Sequence, residues 1–155
     1  MEALLLLGGN IGDIVITMRR AEEMIGEEVG TVLSRSRDHW TEPWGFQDDR
    51  LFLNRTLVVG TDLSPQRLLE KCLVIERRLG RTRGSGERYS ARTMDIDLLL
   101  CGDQVISSPD LVIPHPRMHE RAFALAPAAD VAPDWSHPVM NRTILTLLND
   151  VLRKV

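Results

Sequence analysis

The sequence predicts an α+β protein with a ferredoxin-like core, in which strands and helices follow the order βαββαβ. Two kinds of segment indicate this fold: apolar runs of strand length, and stretches whose apolar residues recur at helical spacing. They alternate over residues 2–101. We therefore expect a mainly antiparallel sheet with helices on one face, extended by a C-terminal hairpin and further helices.

The first half of the chain supplies three of the predicted strands and one helix. Residues 2–7 are an apolar run of strand length, and Asp13 can cap a helix whose apolar spacing continues to Gly26. Residues 31–39 and 52–60 are predicted to be strands, the second because it is rich in apolar and β-branched residues.

The second half completes the core and adds to it. Ser64-Pro65 opens a second helix, which Gly80 is placed to end. The fourth strand is predicted at residues 95–101. Beyond it, the pattern predicts a hairpin and two helical stretches, at Gly102-Asp103, residues 117–130 and residues 143–153.

Composition indicates an ordinary globular protein. With 155 residues, 43% of them hydrophobic and 26% charged, we expect residues 1–155 to form a single domain. We also expect a monomer, although composition does not determine the oligomeric state. The opening apolar run is too short for a signal peptide or a membrane span, so we expect a cytoplasmic protein without a membrane partner. Cys72 and Cys101 fall at apolar positions, which favours reduced core thiols over a disulfide or a zinc site.

Two acids in the fourth strand are the first candidate functional residues. Side chains alternate in a strand, so Asp95 and Asp97 share a face with their Cα atoms about 6.5 Å apart. Two neighbouring carboxylates need a countercharge, and Mg²⁺ prefers oxygen ligands of this kind. The pair therefore predicts a metal site for phosphate chemistry. The alternative is an edge strand whose polar face meets water.

An arginine-rich segment precedes this strand. Residues 77–92 contain six arginines and one acid, Glu87, although the whole chain carries a net charge of −3. The guanidinium group suits bidentate contact with phosphate oxygens. The arginines are Arg77, Arg78, Arg81, Arg83, Arg88 and Arg92. The segment favours phosphoryl transfer, with a solvated basic connector as the alternative.

Aromatic, amide and histidine side chains form a second group of candidates. Phe52 and Asn54 share a strand face, and Trp44 lies in the loop before them, a combination that favours binding of a flat polar ring. Phe52 and Phe123 can equally be core residues. His115 stands between two prolines near Arg117 and Arg121, where it can contact phosphate or serve a structural role.

Taken together, these segments resemble the 6-hydroxymethyl-7,8-dihydropterin pyrophosphokinases of folate biosynthesis, a family with a ferredoxin-like fold. The resemblance runs nearly end to end. It rests on residues 7–13, 41–45, 52–54, 92–97, 113–115 and 121–123, together with Glu76, Gly80 and Arg81.

The resemblance implies transfer of the terminal diphosphate of ATP to the hydroxymethyl group of the pterin, giving AMP and the pterin diphosphate. Asp95 and Asp97 would bind two Mg²⁺ ions, and Arg81 and Arg92 would steady the diphosphate. The implied nucleotide contacts are Glu76, Arg83, Arg88, Arg92, Leu98, Ile113, His115 and Arg121. The implied pterin contacts are Gly8, Thr41, Pro43, Trp44, Phe52, Asn54 and Phe123.

Two other classes of function stay open at this point. A four-stranded sheet with an arginine-rich loop can belong to an RNA-binding module, but the negative net charge and the paired acids argue against a nucleic-acid partner. A different Mg-dependent phosphotransferase could use the same acids on another acceptor. Only the acceptor pocket separates the latter from the pyrophosphokinases.

Overall fold

The computed structural model describes residues 1–42, 51–80 and 94–154. The first part of the chain contains β1 (Glu2–Gly9), α1 (Ile14–Glu28), β2 (Thr31–Arg35), β3 (His39–Thr41), β4 (Phe52–Gly60), α2 (Pro65–Gly80) and β5 (Asp95–Cys101). The rest contains β6 (Ile106–Ser107), β7 (Val112–Ile113), a 3-10 turn (Met118–Glu120), α3 (Ala122–Val131) and α4 (Ile144–Arg153).

The main sheet has the strand order β2, β4, β1, β5, and β3 also pairs with β4. Every neighbouring pair in it is antiparallel. The predicted βαββαβ order and the ferredoxin-like class are confirmed. The strand predicted at residues 31–39 divides into β2 and β3, which pair with different parts of β4.

Helix α1 begins where the sequence predicts. The Asp13 side chain accepts a hydrogen bond from the backbone N–H of Ile16 at 3.4 Å, and the buried face includes Met18, Ala21 and Ile25. The helix continues past Gly26 to Glu28, because a glycine at that position need not end a helix whose apolar stripe stays packed on the sheet.

The predicted C-terminal hairpin is present, but it is formed by β6 and β7 and not around Gly102 and Asp103. The chain does turn there, with Gly102 in the left-handed region at φ 56°, but β6 pairs with β7 instead of returning along β5. The turn between β6 and β7 is closed by Ser108 and Leu111, whose backbone groups bond at 3.0 Å. The Ser108 hydroxyl also accepts a hydrogen bond from the Leu111 backbone N–H, which stabilises this turn.

Both faces of the sheet are covered, one of them only in part. The expected helices on one face are α1 and α2, which enclose a core that includes Leu5, Leu7 and Ile96. The C-terminal helices α3 and α4 pack on the other face around Leu4 and Leu100. Helices α3 and α4 cover only part of this second face. A cavity lies at its uncovered end.

The two cysteines lie in the first core as free thiols. Burial, together with the nearby charge of Glu76, raises the pKa of Cys72 to about 12, and burial raises the pKa of Cys101 to about 11. The prediction of reduced core thiols is confirmed. Both thiols are therefore protonated at neutral pH.

Within the described ranges, no helix combines the length and the apolar character needed to cross a bilayer.

Close backbone packing makes Gly30 a sensitive position. A Cβ atom added there would lie 2.1 Å from the carbonyl oxygen of Gly60, so Gly30→Ala must displace backbone and should lower the free energy of unfolding by about 1–3 kcal/mol. Gly26→Ala is the matched control, because its Cβ would meet nothing within 4 Å and should stabilise α1 by about 0.5–1 kcal/mol. Urea denaturation measures both, and equal effects would contradict the packing argument.

Candidate active site

A cavity of about 290 Å³ opens on the second face of the sheet, where the ends of β1, β3, β4 and β5 meet. Its walls combine acids, aromatic rings, an amide and a cation. The lining residues are Leu6, Gly8, Thr41, Glu42, Phe52, Asn54, Asp95, Asp97, Arg121 and Phe123. Sequence-predicted residues from five separate segments of the chain therefore converge on one concave surface.

The acid pair lies on one wall of this cavity. In the antiparallel pairing with β1, Asp95 stands opposite Gly8 and Asp97 opposite Leu6. Both aspartates are partly buried, while Met94 on the other face of the strand is fully buried. The predicted shared face of the two carboxylates is confirmed.

A buried carboxylate holds the backbone between the two acids. Glu76 of α2 is only 8% exposed, and its Oε2 accepts a 2.6 Å hydrogen bond from the backbone N–H of Ile96. A charged acceptor gives a stronger bond than a neutral one. This bond joins α2 to β5 on the side of the sheet opposite the cavity. It therefore fixes the position of the β5 backbone that carries Asp95 and Asp97.

The opposite wall carries a short polar row. Asn54 faces Gly8 across the strand pair, and its Nδ2 donates to Thr41 Oγ1 at 3.0 Å. A Cβ on Gly8 would come within 3.0 Å of Asn54 Oδ1, so glycine leaves the amide the space it occupies. Asn54 is 3% exposed, and its orientation is therefore fixed before any ligand arrives.

Two phenylalanines add apolar surface to the cavity. Phe52 at the start of β4 and Phe123 in the first turn of α3 are both partly buried lining residues. The Arg121 guanidinium lies 5.4 Å from the centroid of the Phe123 ring, within the range of a cation–π contact. Phe123 also packs against the second core. Its ring is thus shared between core and cavity, which reconciles the two interpretations of this residue.

His115 lies beside the acids without lining the cavity. Its backbone N–H donates to the Leu99 carbonyl at 2.9 Å, and its Nδ1 accepts from Arg117 N–H at 3.1 Å, so the neutral ring carries its proton on Nε2. Burial lowers the pKa of His115, the charge of Asp97 opposes that shift, and Arg121 and Arg117 add to it. The net result is a histidine that is neutral at pH 7.

The remaining predicted residues are placed elsewhere or lie outside the described ranges. Leu98 and Ile113 are 5% and 1% exposed in the core beneath α1 and α2, and neither lines the cavity. The predictions for Pro43, Trp44, Arg81, Arg83, Arg88 and Arg92 fall on residues outside the described part of the chain.

Sequence analysis missed two lining residues and one anchoring bond. Leu6 could have been found, because it precedes Gly8 by two positions on the same strand face. Glu42 follows Thr41 directly but carries no pattern of its own. The bond from Glu76 to the Ile96 backbone joins a helix to a strand 20 positions away, and no local periodicity reports such a contact.

Comparison with known proteins identifies close relatives of the whole core. Residues 4–133 match the family model of 7,8-dihydro-6-hydroxymethylpterin-pyrophosphokinase. The 2-amino-4-hydroxy-6-hydroxymethyldihydropteridine pyrophosphokinase of Porphyromonas gingivalis is 44% identical over 136 residues, which cover 86% of this chain and 92% of that protein. The enzyme of the same name from Bacillus subtilis is 41% identical over 130 residues, covering 83% and 77%.

Solved structures share the fold at lower identity. The wild-type HPPK-DHPS of Plasmodium falciparum superimposes with a TM-score of 0.81 at 17% identity, and the same protein with pteroate gives 0.81 at 16%. The match covers 99% of this chain but only 45% and 44% of those longer chains. At this identity the likeness establishes the fold and no more.

The bond between Glu76 and Ile96 can be tested by substitution. Glu76→Ala leaves a buried N–H without its acceptor and should lower the free energy of unfolding by about 1–3 kcal/mol. Glu76→Gln keeps an acceptor oxygen of the same reach and should recover at least half of the loss. Urea denaturation measures both variants, and equal destabilisation would show that the bond to the β5 backbone contributes little.

Proposed function

The chain belongs to the 7,8-dihydro-6-hydroxymethylpterin-pyrophosphokinase family, and we propose that it transfers the terminal diphosphate of ATP to the hydroxymethyl group of 6-hydroxymethyl-7,8-dihydropterin, an activity of folate biosynthesis. The observation that carries this proposal is the convergence of Asp95 and Asp97 with Phe52, Asn54 and Phe123 on one cavity. The part of the cavity around Asp95 and Asp97 is proposed for phosphoryl transfer. The part around Phe52, Asn54 and Phe123 is proposed for ring binding and is called the pterin end below.

The acid pair fits Mg²⁺ that is bound together with a nucleotide. Among the described residues, no three His, Cys, Asp or Glu side chains are grouped to hold a cation, so Asp95 and Asp97 do not form a complete protein cage. Mg²⁺ usually keeps several waters and takes one or two carboxylates plus substrate phosphates. When bound, two such ions would neutralise charge on the diphosphate and polarise its phosphorus atoms.

The pterin end is proposed at Phe52, Asn54, Thr41, Gly8 and Phe123. The two rings supply stacking surface for a flat heterocycle. The amide of Asn54, held by Thr41, can present a donor and an acceptor to the ring edge. Pro43 and Trp44 complete this proposed set from the sequence. An acceptor hydroxymethyl group on a ring bound here would lie in the same cavity as the aspartates.

The nucleotide end is proposed on the cationic side of the acids. Arg121 lines the cavity and His115 interacts with the charge of Asp97, which supports assigning both to the phosphate oxygens. The neutral ring of His115 would act as a donor through Nε2. Glu76, Leu98 and Ile113 are assigned to the nucleotide on the sequence alone. Their side chains are buried and do not line the cavity, so they would act by positioning β5 and its neighbours rather than by touching the nucleotide. Arg83 and Arg88 are assigned to the phosphates, and Arg81 and Arg92 to the transferring group, on the sequence alone.

In the proposed reaction the acceptor hydroxyl oxygen forms a bond to the β-phosphorus of ATP and releases its proton to solvent. The bond from that phosphorus to the oxygen bridging the α-phosphorus breaks, and AMP leaves with the bridging oxygen. The chain contributes positioning and fixed charges, which are the main sources of catalysis in phosphoryl transfer. No covalent enzyme intermediate is required.

We further propose that residues 1–155 act as one catalytic domain, as a monomer in the cytoplasm, and without nucleic acid. The absence of a nucleic-acid partner is supported by the net charge of −3 and by the two acids on the ligand-facing wall, which would repel a phosphate backbone.

Substitution of one metal-facing acid tests the reaction. Asp97→Asn keeps the shape of the side chain but removes its charge, so kcat/KM with Mg-ATP should fall by at least about 100-fold. Asp103→Asn, in the exposed turn after the same strand, is the matched control and should retain full activity. Mass spectrometry of the products should show AMP and a pterin diphosphate. ADP with a pterin monophosphate would contradict diphosphate transfer.

Removal of one ring of the pterin end tests the acceptor. Stacking on an aromatic side chain contributes about 1–3 kcal/mol, so Phe123→Ala should weaken binding of the pterin alcohol by about tenfold or more. Binding of a non-hydrolysable ATP analogue should fall much less, because the nucleotide loses at most the support that the Phe123 ring gives to Arg121. Isothermal calorimetry measures both affinities, and equal losses would assign Phe123 to the core alone.

A further inference from the structure

We propose that Asp130 of α3 is a positioning residue that holds the two walls of the pterin end at their working separation. The proposal rests on the proposed function. Asp130 does not line the cavity. It acts through Arg37 and His39, and these three residues are called the Asp130 clamp below.

The Asp130 clamp joins α3 to the strand on the far side of the cavity. Asp130 Oδ2 lies 2.8 Å from His39 Nε2 and accepts the Arg37 backbone N–H at 3.2 Å. The Arg37 guanidinium adds two bonds, from Nε to Oδ2 at 3.2 Å and from Nη2 to Oδ1 at 3.1 Å. One carboxylate therefore binds both a side chain of β3 and the backbone that leads into it.

The helix end of the clamp is continuous with the ring that lines the cavity. Phe123, Pro127 and Asp130 are spaced by four and three positions, so they share one face of α3. The Pro127 carbonyl accepts a buried 2.7 Å hydrogen bond from Thr56 Oγ1 of β4. Helix α3 is thus fixed to the sheet at two points behind Phe123, and the clamp is the second of them.

The strand end of the clamp is continuous with the polar row of the opposite wall. His39 pairs with Asn54 and Thr41 pairs with Phe52 in the register of β3 and β4. Thr41 also accepts the amide hydrogen bond that orients Asn54. A shift of β3 would move Thr41 relative to Asn54, and a shift of α3 would move Phe123. Because Asp130 of α3 binds His39 of β3, it restrains both movements.

Charge and burial show which contacts matter. Burial alone would raise the pKa of the Asp130 carboxyl, but the hydrogen bonds from Arg37 and His39 together lower it, so the group is ionised at neutral pH. The Arg37 side chain is 80% exposed, and exposed ion pairs contribute little. The side chains of His39 and Asp130 are less exposed, at 20% and 18%. The contact between Asp130 and His39 should therefore contribute more to the restraint than the contact with the Arg37 guanidinium.

The test separates positioning from general stability. Asp130→Ala should raise the calorimetric Kd and the KM for the pterin alcohol by about tenfold, while the Kd for an ATP analogue and kcat at saturating pterin stay within about twofold. Asp130→Asn keeps one acceptor oxygen and should recover most of the affinity. The control is Asp150→Ala, which removes an ion pair to Arg142 at 2.8 Å on α4 and should leave pterin affinity unchanged.

A second variant guards against a folding defect. His39→Leu removes the side-chain partner in β3 and should give a pterin-selective loss of the same kind. The double variant should lose little more affinity than Asp130→Ala alone, because both changes remove the contact between Asp130 and His39. Unchanged pterin affinity in folded Asp130→Ala and His39→Leu, equal losses for pterin and nucleotide, or the same loss in Asp150→Ala would each overturn the positioning role. Wild-type protein that binds no pterin alcohol would instead refute the proposed function.

Discussion

The site depends on the antiparallel register that places β5 beside β1 and β1 beside β4. That register sets Asp95 against Gly8 and Gly8 against Asn54, in a single row across three strands. A slip of one residue would turn both aspartates into the apolar core, where an unpaired carboxylate is very costly. The same slip would move the apolar residues of β1 and β5 out of the core on the other face. Their burial therefore keeps Asp95 and Asp97 on the cavity face.

Asp95 and Asp97 are positioned by a hydrogen bond on the core side of the sheet and share the cavity with a positive charge on the other side. Glu76 binds the strand backbone between them from α2, whereas Arg121 lines the cavity itself. Two carboxylates on one strand face favour positive charge beside them, and the Arg121 guanidinium lies in the same cavity. In the proposed reaction Mg²⁺ and ATP would bind together, because the carboxylates and the substrate phosphates would each supply only part of the oxygen ligands that the ion takes.

The local patterns of the sequence predicted the elements and the acid pair, but not the contacts between elements. Alternation along β5 gave the shared face of Asp95 and Asp97, and helical spacing gave α1 and α2. The pairing of β6 with β7 was missed because Gly102 marks a turn without specifying which strand follows it. The bond from Asp130 to His39 spans 91 positions. A contact of that kind depends on how α3 crosses the sheet, which no local period encodes.

The two faces of the sheet differ in what each can contribute to ligand binding. The face beneath α1 and α2 is a continuous core, so residues pointing into it can only set distances, as Glu76 does. The other face is covered by α3 and α4 over part of its length, and the uncovered end is the cavity. Phe123 stands at that boundary, with its helix tied to the sheet through Thr56 and Asp130. The width of the pterin end is therefore determined by how α3 packs on the sheet. The distance between Asp95 and Asp97 is determined by the backbone of β5. Substitutions in α3 and in β5 should accordingly change acceptor binding and diphosphate transfer separately.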